Sequence, residues 1–203
     1  MSLLANAPVV LASASTTRAT LLRQAGLAIE IMPTRIDEAS VREGMNAEGA
    51  PPRDIADTLA ELKAMRVSRH ALGKLVIGAD QILSCKGKLF EKPADRAAAE
   101  AQLRALAGSV HELWSAVCVA RDGNVIWRHV ALSVLTMRSF SDAFLGAYLD
   151  AAGDALTHNV GAYALEGPGA QLFSHIEGDY FSILGLPLLP LLDFLREHNI
   201  VRR

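Results

Sequence analysis

Short apolar runs that end in turns alternate along this chain with segments whose apolar residues recur at helical spacing. That alternation constrains the fold more than any other feature, because it is the pattern of an α/β protein. Residues 9–12 are a short apolar run followed by a Ser/Thr-rich turn. Residues 18–24 carry Leu21 and Leu22, and Gly26 stands where a helix would stop. Residues 27–32 alternate like a strand. Residues 46–53, with Gly49, Pro51 and Pro52, read as a loop. Ile55, Leu59, Leu62 and Val67 then fall at helical spacing. Residues 75–77 predict a strand ending at Gly78-Ala79-Asp80, and Lys86-Gly87 predicts a hairpin. Asp95 is placed to cap a helix reaching Leu106, with Gly108 beyond it. Asp122-Gly123-Asn124 separates two long strand-like runs, the first apolar on consecutive positions as in a strand covered on both faces. Ser141 is placed to cap a helix bearing Phe144, Leu145, Tyr148 and Leu149, and Pro187 opens a last helix to about His198. No linker divides the 203 residues, so one α/β domain is expected: a mixed β-sheet flanked by helices.

Composition narrows the function. The chain is 51% apolar and carries 20 basic against 22 acidic residues, for a net charge of −2. Disorder is excluded by the apolar content. A nucleic-acid partner is not expected, since no basic excess supports it. Any bound anion must meet a local cluster of cations. The greasiest stretch, residues 183–195, is too short to span a bilayer and contains Asp193 and two prolines. A membrane span is therefore not expected, and since no Lys or Arg precedes Arg18 a signal peptide is not expected either. Cys85 and Cys118 lack metal spacing and suit a reducing compartment, the cytoplasm. The six histidines form no zinc motif.

Several segments could carry chemistry, and each also has an ordinary structural use. The turn Ser13-Ala14-Ser15-Thr16-Thr17-Arg18, between a strand and a helix, gathers hydroxyls, backbone N–H groups and a forked cation toward one point. That set suits phosphate, and equally suits a helix cap. Asp80, after an apolar strand, can take a proton, bind a metal or simply form a turn. Asp37-Glu38 can be an acidic pair at a site or a helix start. Lys63 and Lys92 are candidate anion ligands or solvated charges. Glu166, Glu177 and Asp179 lie in a Gly-rich region and can line a site or lie on the surface.

The order of these segments resembles the Maf family. Ser13-x-Ser15-x-x-Arg18, Asp37-Glu38, Leu59-Ala60-x-x-Lys63-Ala64, Gly78-Ala79-Asp80, Lys92-Pro93, Gly161-Ala162-Tyr163 and Gly185-Leu186-Pro187 follow one another as in that family, from Leu11 to about Leu195. The resemblance implies a fold shared with inosine triphosphate pyrophosphatases, with two lobes around a cleft. It implies hydrolysis of nucleoside triphosphates between the α and β phosphates, with a divalent metal (Mg²⁺ or Mn²⁺). Asp80 matches the catalytic base, and Glu38 with Asp80 the metal end. Ser13, Ser15, Arg18, Lys63 and Lys92 match the phosphate-binding positions. Thr17, Gln81 and Glu166 stand at specificity positions. Gln81 and Glu166 are similar to members acting on 7-methyl-GTP, whereas Thr17 departs from the Trp usual there, and Asn159 replaces a common lysine. Glu166 could accept hydrogen bonds from guanine N1–H and N2–H₂, which uracil does not offer in that pattern. A homodimer is compatible with the resemblance. The rival reading is a non-catalytic nucleotide-binding regulator of septum formation and cell division; a phosphatase releasing orthophosphate would use similar cations.

Overall fold

A computed structural model describes residues 8–202. The ends of the expected domain, residues 1–7 and 203, lie outside them. The elements are β1 (Val9–Leu11), α1 (Thr16–Gln24), β2 (Ile29–Ile31), α2 (Glu38–Ala47), α3 (Pro52–Ser68), β3 (Val76–Cys85), β4 (Lys88–Phe90), α4 (Arg96–Leu106), β5 (Val110–Arg121), β6 (Asn124–Met137), α5 (Asp142–Ala152), β7 (Phe173–Glu177), α6 (Tyr180–Ile183) and α7 (Leu188–Glu197), with three 3₁₀ turns between α5 and β7. The strands form a seven-stranded mixed sheet in the order β2-β1-β3-β5-β6-β7, with β4 also pairing β3. The expected α/β class with helices around a mixed sheet is what the chain adopts. Among the described residues no helix is long and apolar enough to cross a membrane.

The chain separates into two compact units. The first comprises the chain up to Asp80, Ser115–Ala131 and the segment from Asp179 onward. In it β1 pairs in parallel with β2 (Val9↔Ile29) and with β3 (Val10↔Val76). Val9 and Leu11 pack into a core with Leu22 of α1, Ile77 and Ala79 of β3, and Leu191 and Phe194 of α7. Val10 and Ala12 point the other way, against Val67 of α3 and Ala71. Two covered faces explain why β1 is apolar at every position. The second unit comprises Gln81–Trp114 and Leu132–Gly178. There β4 folds back on β3 (Leu83↔Phe90), and β7 runs antiparallel to β6 (Val134↔Glu177). Its interior includes Leu103, Leu106, Leu135, Met137 and Leu149, and a buried His111 whose Nε2 lies 2.8 Å from the Tyr163 hydroxyl oxygen.

Local signals placed most elements. Asp95 and Ser141 each cap the helix expected of them, and within the Ser/Thr-rich turn it is Ser15 that caps α1. Lys86-Gly87 and Asp122-Gly123 turn their hairpins with positive φ at both residues, the geometry that matches strand twist. Cys85 and Cys118 are buried and free. Four expectations need correction. The strand expected at 75–77 does not end at Gly78-Ala79-Asp80; β3 continues through it to Cys85. The expected loop 46–53 shrinks to 48–51, because α2 extends to Ala47 and Pro52 starts α3, where a missing N–H costs nothing. Leu62 is exposed although it fits the helical spacing. Finally, β7 was not expected, and in it Glu177 pairs Val134.

Candidate active site

The site grows from two chain segments of the first unit that reach the same place from different directions. After β1 the chain turns, and Ser15 caps α1 by accepting the Arg18 backbone N–H at 3.3 Å. The hydroxyl oxygen of Ser13 accepts from the Ser15 backbone N–H at 3.2 Å and from Arg18 Nη1 at 3.3 Å. A hydroxyl has two acceptor lone pairs and one donor, so the Ser13 O–H is left to donate. Arg18 donates Nε to the Gly185 carbonyl at 2.8 Å and Nη1 to the Ala79 carbonyl at 2.9 Å. These bonds lock the guanidinium, and neither Nη2 hydrogen takes part in them. Burial pulls the Arg18 pKa below its usual value, opposed by the charges of Asp80 and Glu38. Thr17, half-buried in the first turn of α1, follows the capping sequence.

The second approach is that of α3 to β3. A Cβ placed on Gly78 would lie 2.2 Å from the Ala60 carbonyl oxygen and 2.6 Å from the Ala64 nitrogen, so only glycine lets the helix backbone come this close. Residues two apart share a strand face, so Asp80 is on the same face as Gly78. Lys63, between Ala60 and Ala64 in sequence, meets it there. Its Nζ lies 2.6 Å from Asp80 Oδ1. The same Nζ lies 2.8 Å from Glu38 Oε2. Lys63 is 6% exposed and Asp80 5%, so the solvated-face use of Lys63 and the turn use of Asp80 are both excluded. Asp80 Oδ2 is buried and has no hydrogen-bond partner.

The adjacent carboxylates of Asp37 and Glu38 divide their work. Asp37 caps α2 by accepting from the Ser40 backbone N–H at 3.1 Å and its hydroxyl at 2.8 Å. Those bonds, the backbone one first, lower its pKa. Glu38 instead turns to Lys63. Sequence spacing alone could not separate the two.

Ser13, Ser15, Arg18, Glu38, Lys63 and Asp80 thus belong to one unit, in which Lys63 joins Asp80 to Glu38 and Arg18 binds Ser13. Thr17 and Asp179 also lie in the first unit, whereas Gln81, Lys92 and Glu166 fall in the second. Gln81 is half-buried in β3, Lys92 is exposed between β4 and α4, and Glu166 is exposed in the turns before β7. Asp179 is a cap, accepting the Ser182 N–H and hydroxyl at 2.8 Å each. Sequence reasoning missed the carbonyls of Ala79 and Gly185, which hold Arg18. Their only trace in sequence is that both sit in the short Gly-containing motifs.

Comparison with known proteins agrees in extent and kind. The family model described as Maf-like protein matches residues 8–198. A protein of Paramagnetospirillum magneticum named nucleoside triphosphate pyrophosphatase is 54% identical over 190 residues, covering 94% of this chain and 98% of that one. One of Caulobacter vibrioides with the same name is 53% identical over 192 residues, covering 95% and 96%. One of Brucella abortus named 7-methyl-GTP pyrophosphatase is 47% identical over 193 residues, covering 95% and 97%. A match this complete, on a chain with this fold, means that the protein belongs to the Maf-like family.

Proposed function

We propose that this protein is a nucleoside triphosphate pyrophosphatase that hydrolyses the bond between the α and β phosphates. The observation that carries the reading is a buried aspartate with one oxygen held by Lys63 and the other unpartnered, on the strand whose Ala79 carbonyl fixes Arg18. In the reaction, a water oxygen forms a bond to the α phosphorus. The bond from that phosphorus to the bridging oxygen breaks, and its electron pair leaves with pyrophosphate. The water proton passes to the Asp80 carboxylate. The Nη2 hydrogens of Arg18 and the hydroxyls of Ser13 and Ser15 bind phosphate oxygens, and Lys63 offsets the charge of the leaving group. The nucleoside monophosphate remains as the second product.

The donor set fits a divalent cation such as Mg²⁺ or Mn²⁺. Two carboxylates, Asp80 and Glu38, already converge on one cationic atom, and a buried Asp80 oxygen has no partner. Hard cations take such oxygens, usually one or two carboxylates together with substrate phosphates. Bound by Glu38 and Asp80, the metal would supply charge stabilisation for the transferred phosphoryl group.

Within that activity we read the base as a guanine, including 7-methylguanine. Gln81 and Glu166 support this, as does the name of the Brucella abortus relative. The buried free thiols of Cys85 and Cys118 fit a cytoplasmic protein.

A panel of canonical and methylated triphosphates with Mg²⁺ and Mn²⁺, read for pyrophosphate and monophosphate, tests the reading. Asp80→Asn is expected to lower kcat by on the order of 10²-fold or more, the usual scale of a lost general base. Absence of turnover with every nucleotide would overturn the function. Undiminished turnover by Asp80→Asn would overturn the role of Asp80 alone.

A further inference from the structure

We propose that Lys63 is an internal counter-cation which holds Asp80 and Glu38 in the metal-free protein and is displaced from them when a divalent ion binds. The inference rests on the reading of Asp80 and Glu38 as metal ligands and extends it to what those ligands do without metal.

Charge balance is the first argument. Asp80 and Glu38 bring two negative charges, and Lys63 and Arg18 bring two positive ones, each coupled to the carboxylates. The metal-free cluster is therefore neutral, which suits a cluster whose Lys63 and Asp80 are buried. A divalent ion added to the same oxygens would set four positive charges against two negative. One cation must move.

Geometry decides which. Arg18 is fixed by the Gly185 and Ala79 carbonyls and by Ser13. Among the described residues Lys63 has no such tether; its Nζ is held by the two carboxylates themselves. Its ammonium ends a four-carbon stem with freely turning bonds, so it can leave without backbone movement. The helix that carries it need not shift, since Ile55, Leu59, Ala60 and Ala64 around it are fully buried. Asp80 Oδ2, without a partner, gives an incoming ion an oxygen to bind before the Oδ1 bond to Lys63 breaks. Once released, the ammonium is free for a phosphate oxygen. Metal occupancy and the availability of Lys63 to substrate are then one equilibrium.

The test uses Mn²⁺ alone, because a nucleotide would chelate the ion itself. Binding is measured by calorimetry on the wild-type protein. Lysine acylation by a water-soluble N-hydroxysuccinimide ester, mapped by peptide mass, is then compared without and with saturating Mn²⁺. Lys63 is expected to be protected without metal and acylated severalfold faster with it. Unchanged or slower acylation at saturation would overturn the exchange. Lys63→Met is expected to bind Mn²⁺ tighter by on the order of tenfold, one order of magnitude in the dissociation constant. Equal or weaker binding would refute the competition. If Lys63→Met does not fold, the acylation of the wild-type protein decides by itself. Failure of Mn²⁺ to bind wild type overturns the metal reading and this proposal with it, whereas binding without release of Lys63 overturns this proposal alone.

Discussion

Replacing Gly78 by alanine tests how the site is held together. The added methyl would lie 2.2 Å from the Ala60 carbonyl oxygen, and real Cβ atoms essentially never come closer than 3.0 Å to another heavy atom. Relief therefore requires α3 and β3 to part by about 0.8 Å, the difference between those two distances. Neither neighbour can yield as a flexible side chain would, since the clash is with backbone at Ala60 and Ala64. The movement shifts Asp80 itself, on β3, and carries Lys63 away from it, stretching a contact that is 2.6 Å in the metal-free protein. Overpacking of this kind costs about 1–3 kcal/mol of stability. A misplacement near 1 Å at a catalytic group costs on the order of 10²-fold in rate. Urea unfolding gives the first quantity, and pyrophosphate release by protein shown to be folded gives the second. A Gly78→Ala variant with native stability and native turnover would refute the close approach and, with it, the reason that Lys63 reaches Asp80.

Three further outcomes follow from other residues. Arg18→Lys keeps the charge but cannot serve the Ala79 and Gly185 carbonyls and an anion together. It is expected to raise KM for nucleotide and to lose about 2 kcal/mol of stability from unpaired buried carbonyls, and an unchanged KM would refute the anion role. Glu166→Gln is expected to shift turnover from guanine nucleotides toward pyrimidine ones, and an unchanged ratio would refute the guanine contact. His111 is buried, and burial lowers its pKa to about 4 from the ordinary 6.5. Between those values the unfolded chain binds more protons than the folded one. The folded protein therefore loses stability as pH falls from about 6.5 to about 4, by about 3 kcal/mol in total from this residue. Urea titrations of wild type and His111→Gln should converge or cross as the pH drops, and a pH-independent difference between them would refute the buried neutral imidazole.

The sequence by itself determined what depends on neighbours in the chain. Asp95 and Ser141 announced their helices because a cap bonds a backbone N–H three residues on. Asp122-Gly123 announced its hairpin because the turn needs positive φ at both positions. The consecutive apolar residues of β5 announced a strand covered on both faces, and Ser115–Ala120 are all buried. Motif order, likewise read along the chain, was enough to reach the family. Decisions made by distant residues stayed hidden. Gly78 read as the end of a strand, since glycine is usually punctuation; it is a site of contact, where the Ala60 backbone would leave no room for a methyl. Lys63 read equally as a solvated charge, because helical spacing does not say what covers a face. Asp37 and Glu38 were indistinguishable neighbours until one bonded Ser40 and the other Lys63. Capping and turn preferences act over a few residues and are written in local sequence. The charge balance at Asp80 depends on α2, α3 and β3 meeting, and only the folded chain brings them together.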